Sequence, residues 1–198
     1  MEQIYNRIWE LAKPHYQKGR PMDIDHIEWM MQAAEEVCNK ENLDKTLFVP
    51  LVILHDVGYS KVKDPKDNSY KLDIRKAHMK AGAELSEQIL KQLNFDPKKT
   101  EKIAHYVSIH DNWALGDNES YLKDPLLGAF NDLDFMWMAT PKGFLALMKM
   151  LNKSSAEMLD YLVNNDKLTQ RPWSNPSTQE LFNRYIQDRQ KQIKAEAI

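Results

Sequence analysis

The segment 51-LVILHDVGYSKV-62 places a histidine and an aspartate, His55 and Asp56, at the end of the most apolar stretch of the chain. A buried imidazole beside a buried carboxylate costs free energy unless another group pairs with both. Three kinds of partner would satisfy them: a hydrogen-bond network, a catalytic relay or a metal ion. The rest of the sequence is needed to decide among the three.

The composition of the 198-residue chain is that of a helical globular protein, with 42% apolar residues, 28% charged residues and six glycines. A formal charge of −2 gives no basic surplus for nonspecific nucleic-acid binding. The single cysteine, Cys38, excludes an intramolecular disulfide. No stretch approaches the ~20 apolar residues of a membrane span, and the N-terminus carries no signal segment. We therefore expect a cytoplasmic protein that does not bind membranes.

Helical periodicity and proline punctuation extend along the whole chain. Four dipeptides are typical of an N-cap followed by proline at the first helical position: Asp96-Pro97, Asp124-Pro125, Thr140-Pro141 and Asn175-Pro176. No alternating strand pattern is present. The sequence predicts an all-α, single-domain helical bundle over 1–198, with helices at 2–13, 24–40, 47–56, 73–93, 97–111, 125–138, 141–163 and 176–194. The longest connections, 57–72 and 112–124, are where we expect substrate to be handled.

Helical offsets separate the six histidines into inward-facing and outward-facing groups. His105 shares its face with charged residues and is excluded, and His15 has no supporting pattern. The other four share faces with apolar residues or end an apolar run, and they come from four different helices: His26, His55, His78 and His110. One inward histidine is usually a hydrogen-bonded core residue, but four neutral imidazoles offer too few acceptors to satisfy one another.

Carboxylates inside apolar helices supply the missing acceptors. Asp132 and Asp134 lie within 128-GAFNDLDFMWM-138, and Asp56 follows the apolar run described above. Imidazole nitrogens and carboxylate oxygens are ligands that Fe, Mn, Zn, Co and Ni accept. Six ligands, one of them a bridging carboxylate, are enough for two ions. The residues therefore predict a metal cage inside a helical bundle, built from His26, His55, Asp56, His78, His110 and one of the two aspartates.

The order His26, His55-Asp56, Asp134 resembles the HD superfamily, which is named for its adjacent His-Asp pair and consists mostly of metal-dependent phosphohydrolases. The resemblance covers about residues 20–140 and rests on 23-DIDHIEWMMQAA-34, 51-LVILHDVGY-59 and 130-FNDLDFMWM-138. It implies an HD-type bundle whose core is 20–140, with 141–198 completing or capping it. The family pattern favours Asp134 over Asp132 as the last ligand.

Two further stretches, 75-RKAHMKAGAELSEQIL-90 and 101-EKIAHYVSIHDNW-113, resemble the histidine-bearing helices of the binuclear branch of this superfamily. That likeness implies that Asp56 bridges two divalent ions. One ion would be completed by His26, His55 and Asp134, and the other by His78 and His110.

Relatives with the binuclear layout include dinucleoside-tetraphosphate hydrolases and HD-GYP cyclic dinucleotide phosphodiesterases. Here Gly58 is followed by Tyr59 where the latter carry lysine, and no GYP motif occurs, which argues against cyclic dinucleotides. Mixed-valent di-iron oxygenases that act on inositol or phosphonates share the same arrangement. The likeness leaves the ions open among Fe, Mn, Zn, Co, Ni and Mg.

The function implied is hydrolysis of a phosphoester or phosphoanhydride in a small, nucleotide-like substrate by a metal-activated water. The implied catalytic residues are Asp56, His78, His110 and Asp111. The last would orient an imidazole or a water, unless it only caps the helix end. Phosphate would be bound by the positively charged side chains of Lys61, Lys63, Arg75 and Lys76, unless these residues form only a solvated basic loop. Tyr59 and Trp113 would flank the mouth and stack on a base.

Two alternatives to hydrolysis stay open: a di-iron oxygenase and a non-catalytic nucleotide-binding HD module. The segment after Asn164 either caps the bundle or mediates self-association.

Overall fold

The computed structural model describes residues 2–62 and 71–196, and every regular element within those ranges is a helix. The all-α prediction is confirmed. By internal contacts the chain divides into two compact units, Met1–Asp117 and Asn118–Ile198. The single-domain organisation stays a prediction. None of the described helices is long and apolar enough to cross a membrane.

The first unit consists of five α-helices and two short 3₁₀ helices within its described residues. They are α1 (Gln3–Lys18), α2 (Asp23–Glu41), α3 (Lys45–Leu54), η1 (Val57–Lys61), α4 (Leu72–Gln92), α5 (Pro97–Ile109) and η2 (Asn112–Leu115). Helix α4 packs against α5 and η1, and α3 packs against α2 and α5.

Helix α3 is the centre of this unit, since all its residues from Leu47 to Leu54 are buried. A helix that is apolar on every side must be surrounded by other elements. The carboxylate of Asp44 caps it by accepting from the Thr46 backbone N–H at 2.9 Å. Pro50 lies inside the helix, because the Asp44 cap begins the helix at Lys45. The helix ends at its C-cap His55, so the His-Asp pair emerges from the middle of the core.

Gly58 allows the turn after the His-Asp pair to approach α4 closely. A Cβ atom at Gly58 would lie 1.9 Å from the His78 carbonyl oxygen and 2.5 Å from the Gly82 backbone nitrogen. Real Cβ atoms do not come so near to backbone atoms, so only glycine fits. This approach brings Asp56 beside the helix that carries His78.

Helix α1 continues through Pro14 to Lys18, whereas the sequence predicted an end at residue 13. The added turn buries Tyr16, whose hydroxyl donates to the Ile53 carbonyl at 2.8 Å in the last turn of α3. Burial of an aromatic ring and a satisfied carbonyl offset the hydrogen bond that proline cannot make. Gly19 then packs so tightly that a Cβ there would lie 2.7 Å from the Ser60 backbone nitrogen. Arg20 therefore follows directly beside η1.

The second unit is also helical throughout its described part. Its elements are α6 (Glu119–Lys123), α7 (Pro125–Met136), η3 (Trp137–Ala139), α8 (Pro141–Leu151), α9 (Ser155–Val163), α10 (Lys167–Gln170) and α11 (Pro176–Glu196). Helix α11 packs against α7 and α9.

Capping decides helix boundaries in both units. The four caps predicted before proline are confirmed, since Asp96, Asp124, Thr140 and Asn175 each accept from a backbone N–H of the following turn. The single helix predicted over 141–163 is wrong. It is interrupted at Asn152, which adopts a left-handed conformation with φ of 51°, and Ser154 starts a new helix through a capping box with Glu157.

Candidate metal centre

Two histidines and one aspartate of the first unit converge on a single point. The Nε2 atoms of His78 and His110 are 3.1 Å apart, and each lies 3.3 Å from Oδ1 of Asp56. His78 comes from α4, His110 follows α5, and Asp56 follows α3. The side chains of His78 and His110 are almost fully buried, and that of Asp56 is 12% exposed. The structure thus brings together three of the predicted ligands in a group able to hold a metal ion.

The histidine rings are oriented by backbone carbonyls of their own helices. Nδ1 of His110 lies 2.8 Å from the Val107 carbonyl oxygen, and Nδ1 of His78 lies 3.4 Å from that of Ile74. A carbonyl oxygen only accepts hydrogen bonds, so Nδ1 is the protonated nitrogen of each ring. Nε2 of each ring then faces Asp56 and offers a lone pair to a metal ion whenever the ring is neutral. A hydrogen bond from Nδ1–H to a carbonyl is the usual way in which a metal-binding histidine is oriented.

The spacing of these atoms fits a metal ion. Bonds of about 2.1 Å from a metal to nitrogen or oxygen place neighbouring ligands about 3.0 Å apart in an octahedron and about 3.4 Å apart in a tetrahedron. The observed separations of 3.1 and 3.3 Å lie between these values. Two bare imidazole nitrogens and a carboxylate oxygen are all electron-pair donors. At this distance they repel one another unless a proton or a cation lies among them.

Asp56 faces a second histidine group with its other oxygen. Oδ2 lies 3.5 Å from Nε2 of His55, whose Nδ1 is held 2.9 Å from the Val52 carbonyl oxygen. The ring of His26, which is 7% exposed, meets the ring of His55 edge-on with centroids 5.7 Å apart. One oxygen of Asp56 therefore points to His78 and His110, and the other to His55. This is the arrangement of a carboxylate that can bridge two sites.

The electrostatics of the centre keep two histidines neutral and one charged. Burial lowers the pKa of His26 to about 3, helped by the neighbouring His55. Burial likewise lowers the pKa of His55 to about 4. Burial opposes protonation of His110 too, but the hydrogen bond to Asp56 and the charge of Asp111 raise its pKa to about 9. Although burial disfavours the carboxylate of Asp56, the surrounding histidines hold its pKa well below the ordinary value.

Tyr59 packs against His78 in the interior of the protein and does not flank the entrance of a substrate site. Its ring stacks on His78 with centroids 4.0 Å apart and planes 6° from parallel, and only 3% of the residue is exposed. The prediction that Tyr59 stacks on a substrate base is therefore wrong: η1 turns it inward where Gly58 meets α4. Trp113 is half-buried in η2, with the Arg75 guanidinium 4.8 Å above its ring.

Asp111 connects the centre to a predicted phosphate-binding residue. Its Oδ2 lies 2.5 Å from Nη1 of Arg75 and 3.8 Å from Nε2 of His78. Burial would raise the pKa of Asp111, but His110 and Arg75 lower it. The carboxylate is thus ionised and holds Arg75 close to the histidines.

Two of the predicted lysines have exposed side chains. Lys61 is exposed at the end of η1, and Lys76 is exposed on α4. In the described part of the chain, neither forms a hydrogen bond or an ion pair with the histidines or with Asp56. Lys63 lies outside the described residues. His105 is exposed, as predicted from its charged neighbours.

Arg20 belongs to the centre, although the sequence patterns did not identify it as a site residue. Its Nη1 lies 4.0 Å from Oδ2 of Asp56, and its Nη2 forms an ion pair with Asp23 at 3.1 Å. Burial works against this charge, but Asp23 and Asp56 raise the pKa of Arg20. The available signal was the Gly19-Arg20-Pro21 break immediately before the helix of His26. Helical periodicity does not assign a side for a residue in such a break.

The two aspartates of the second unit have different environments on α7. Asp132 is buried, and its Oδ1 pairs with Nζ of Lys167 at 2.5 Å. Its Oδ2 accepts from the backbone N–H and hydroxyl of Ser174 and from the hydroxyl of Thr178, at 2.7 to 2.8 Å. Both oxygens are thus engaged in a structural network. Asp134 is half-buried.

Comparison with known proteins identifies the family. The family model described as HD domain matches residues 23–142, more than half of the chain. The chain belongs to the HD domain family, as the sequence motifs predicted. No curated protein and no solved structure matches it.

Proposed function

We propose that this protein is a metal-dependent phosphohydrolase that holds two divalent ions and cleaves a phosphoester or phosphoanhydride in a small, nucleotide-like substrate. The observation that carries the proposal is the placement of Asp56 between two histidine groups, with one carboxylate oxygen toward each. Membership of the HD domain family supports it, because most members of the superfamily are hydrolases of this kind.

The ligands proposed for the first ion are His26, His55 and Asp134, and those for the second are His78 and His110, with Asp56 shared. Asp134 is preferred to Asp132 because both oxygens of Asp132 are already engaged. Divalent ions held there would supply an activated water and positive charge for the phosphoryl oxygens.

The chain's own residues contribute orientation and charge to this chemistry. The carbonyls of Val52 and Val107 fix the rings of His55 and His110, so that each Nε2 lone pair is presented in one direction. The ring of Tyr59 lies against His78 and prevents it from rotating. Burial of the whole group excludes bulk water, which strengthens every electrostatic interaction within it.

The test of this proposal is metal analysis followed by isotope-labelled turnover. The protein purified without chelator is expected to contain about two ions per chain, and Asp56→Ala to lose both ions and activity. His105→Gln, an exposed histidine on α5, is the matched control. Hydrolysis in ¹⁸O-labelled water places one label in the phosphate released from a panel of phosphorylated compounds. Label taken instead from ¹⁸O₂ would establish the oxygenase, and bound nucleotide without turnover would establish a binding module.

A further inference from the structure

Arg20 approaches the centre from the side of Asp56 Oδ2, the oxygen that faces His55. It is anchored by Asp23 at 3.1 Å, and its guanidinium carbon lies 4.6 Å from the centre of the Tyr59 ring. Its Nη1 is 4.0 Å from Asp56, too far for a direct hydrogen bond. The side chain is 19% exposed, so the protein does not enclose it completely.

Arg75 has a matching environment on the other side of the centre. It is anchored by Asp111 at 2.5 Å and lies over the ring of Trp113, and its side chain is also 19% exposed. Asp111 in turn lies 3.8 Å from Nε2 of His78. Each arginine is therefore held by one carboxylate and one aromatic ring. Such anchoring fixes a guanidinium before any ligand arrives, and its five N–H donors exceed what one carboxylate can accept.

The charges of the centre indicate what kind of anion would bind. Asp23, Asp56 and Asp111 contribute three negative charges, and Arg20 and Arg75 contribute two positive charges. With the imidazoles neutral as ligands, this group carries one negative charge. Two divalent ions change that to three positive charges, or to two once a further carboxylate ligand is included. A doubly charged anion neutralises the loaded centre, whereas a singly charged phosphodiester leaves it positive.

We infer that Arg20 and Arg75 are the anion-binding residues of this site and that its substrate presents a terminal phosphoryl dianion, as in a phosphomonoester or at the end of a phosphoanhydride chain. The inference rests on the proposed function and names the substrate class of the same site. Planar guanidinium groups match phosphate oxygens in a bidentate geometry, and their fixed positions lower the entropic cost of binding.

The test is binding of inorganic phosphate to the manganese-loaded protein, measured by titration calorimetry, with metal content determined for each variant. Arg20→Gln and Arg75→Gln are each expected to weaken phosphate binding by roughly tenfold or more, since each removes a charge-assisted hydrogen-bond donor. Arg7→Gln, an exposed arginine on α1, is the matched control and should bind phosphate like the unaltered protein. Phosphate affinities of the two variants equal to that of the control would overturn the inference.

Lysine variants keep the test informative if a glutamine variant fails to fold. Arg20→Lys and Arg75→Lys retain a positive charge for Asp23 and Asp111 but lose the planar fork. They are expected to keep their metal and still bind phosphate several-fold more weakly, and unchanged affinity would contradict the assignment.

Hydrolysis assays separate this inference from the proposed function. The wild-type protein is expected to cleave p-nitrophenyl phosphate faster than bis(p-nitrophenyl) phosphate. Faster cleavage of the diester would overturn the inference and leave the hydrolase proposal standing. Phosphate binding that depends on both arginines, without hydrolysis of any phosphorylated compound, would support the anion site and refute the proposed function.

Discussion

Metal binding should displace a proton from His110, and the number of protons released should fall as the pH rises toward 9. In the metal-free protein the pKa of His110 is about 9, because Asp56 and Asp111 stabilise the imidazolium. Its Nδ1 proton is held by the Val107 carbonyl, so the proton that must leave is the one on Nε2. For a pKa of about 9, the ring is ~97% protonated at pH 7.5 and ~50% protonated at pH 9. Binding should therefore release about one proton from His110 at pH 7.5 and about half a proton at pH 9.

His26 and His55 do not obscure this change. With pKa values of about 3 and 4, His26 and His55 are already neutral at these pH values and release nothing. Any proton lost by coordinated water would increase the count as the pH rises, which is the opposite trend. The apparent metal affinity should rise about fifty-fold from pH 7 to pH 9, because the neutral fraction of the His110 ring rises from about 1% to about 50%.

The assay is anaerobic calorimetric titration with Mn²⁺ in buffers of different ionisation enthalpy, at pH 7.5 and pH 9. Comparison with His110→Gln isolates the contribution of this ring, and His105→Gln controls for loss of an exposed imidazole. A proton count that does not change between the two pH values, or one that His110→Gln leaves unaltered, would refute the reasoning.

The same pKa has a consequence for the stability of the metal-free protein. A folded-state pKa raised from about 6.5 to about 9 contributes on the order of 3 kcal/mol below pH 6.5. That contribution is lost as the pH rises through 9. Chemical denaturation of the chelator-treated protein at pH 6.5 and pH 9.5 should show the loss, and His110→Gln should abolish the difference.

Four other perturbations have defined outcomes. Asp134→Asn should remove about one ion per chain and cause little change in the unfolding free energy of the chelator-treated protein, and full metal content would contradict its assignment as a ligand. Asp132→Asn, its matched control, should instead destabilise the protein by roughly 3 kcal/mol in urea denaturation, because it leaves the buried charge of Lys167 uncompensated; a change under 1 kcal/mol would contradict the structural role. Gly58→Ala should lower the thermal midpoint and the metal content together, since its Cβ would collide with the α4 backbone, and normal values for both would contradict the close approach. Chelation should lower the unfolding free energy by about 2.7 kcal/mol relative to protein held at a hundred times the metal dissociation constant, and an unchanged denaturation midpoint would show that no bound metal stabilises the fold.

Much of this fold could be predicted from local sequence. Caps such as Asp96 before Pro97 act over one helical turn, and their hydrogen bonds form where the residue types indicate. The break at Asn152 is equally local, and its signal is an asparagine followed by a Ser-Glu capping box. The helical periodicity of the apolar residues continues across this break and conceals it. The end of the first helix is decided by a tertiary contact instead. The burial of Tyr16 against α3 outweighs the local preference of Pro14 to end the helix.

The sequence by itself determined that four histidines face inward. Helical offsets placed His26, His78 and His110 on apolar faces, His55 ends an apolar run, and all four are buried. Offsets within one helix carry no information about distances between helices. Only the tertiary structure decided that Asp56 turns one oxygen toward each histidine group, since that depends on the close approach of η1 to α4. It also brought Arg20 to the centre and turned Tyr59 inward, because both positions follow from how the ends of helices pack against one another.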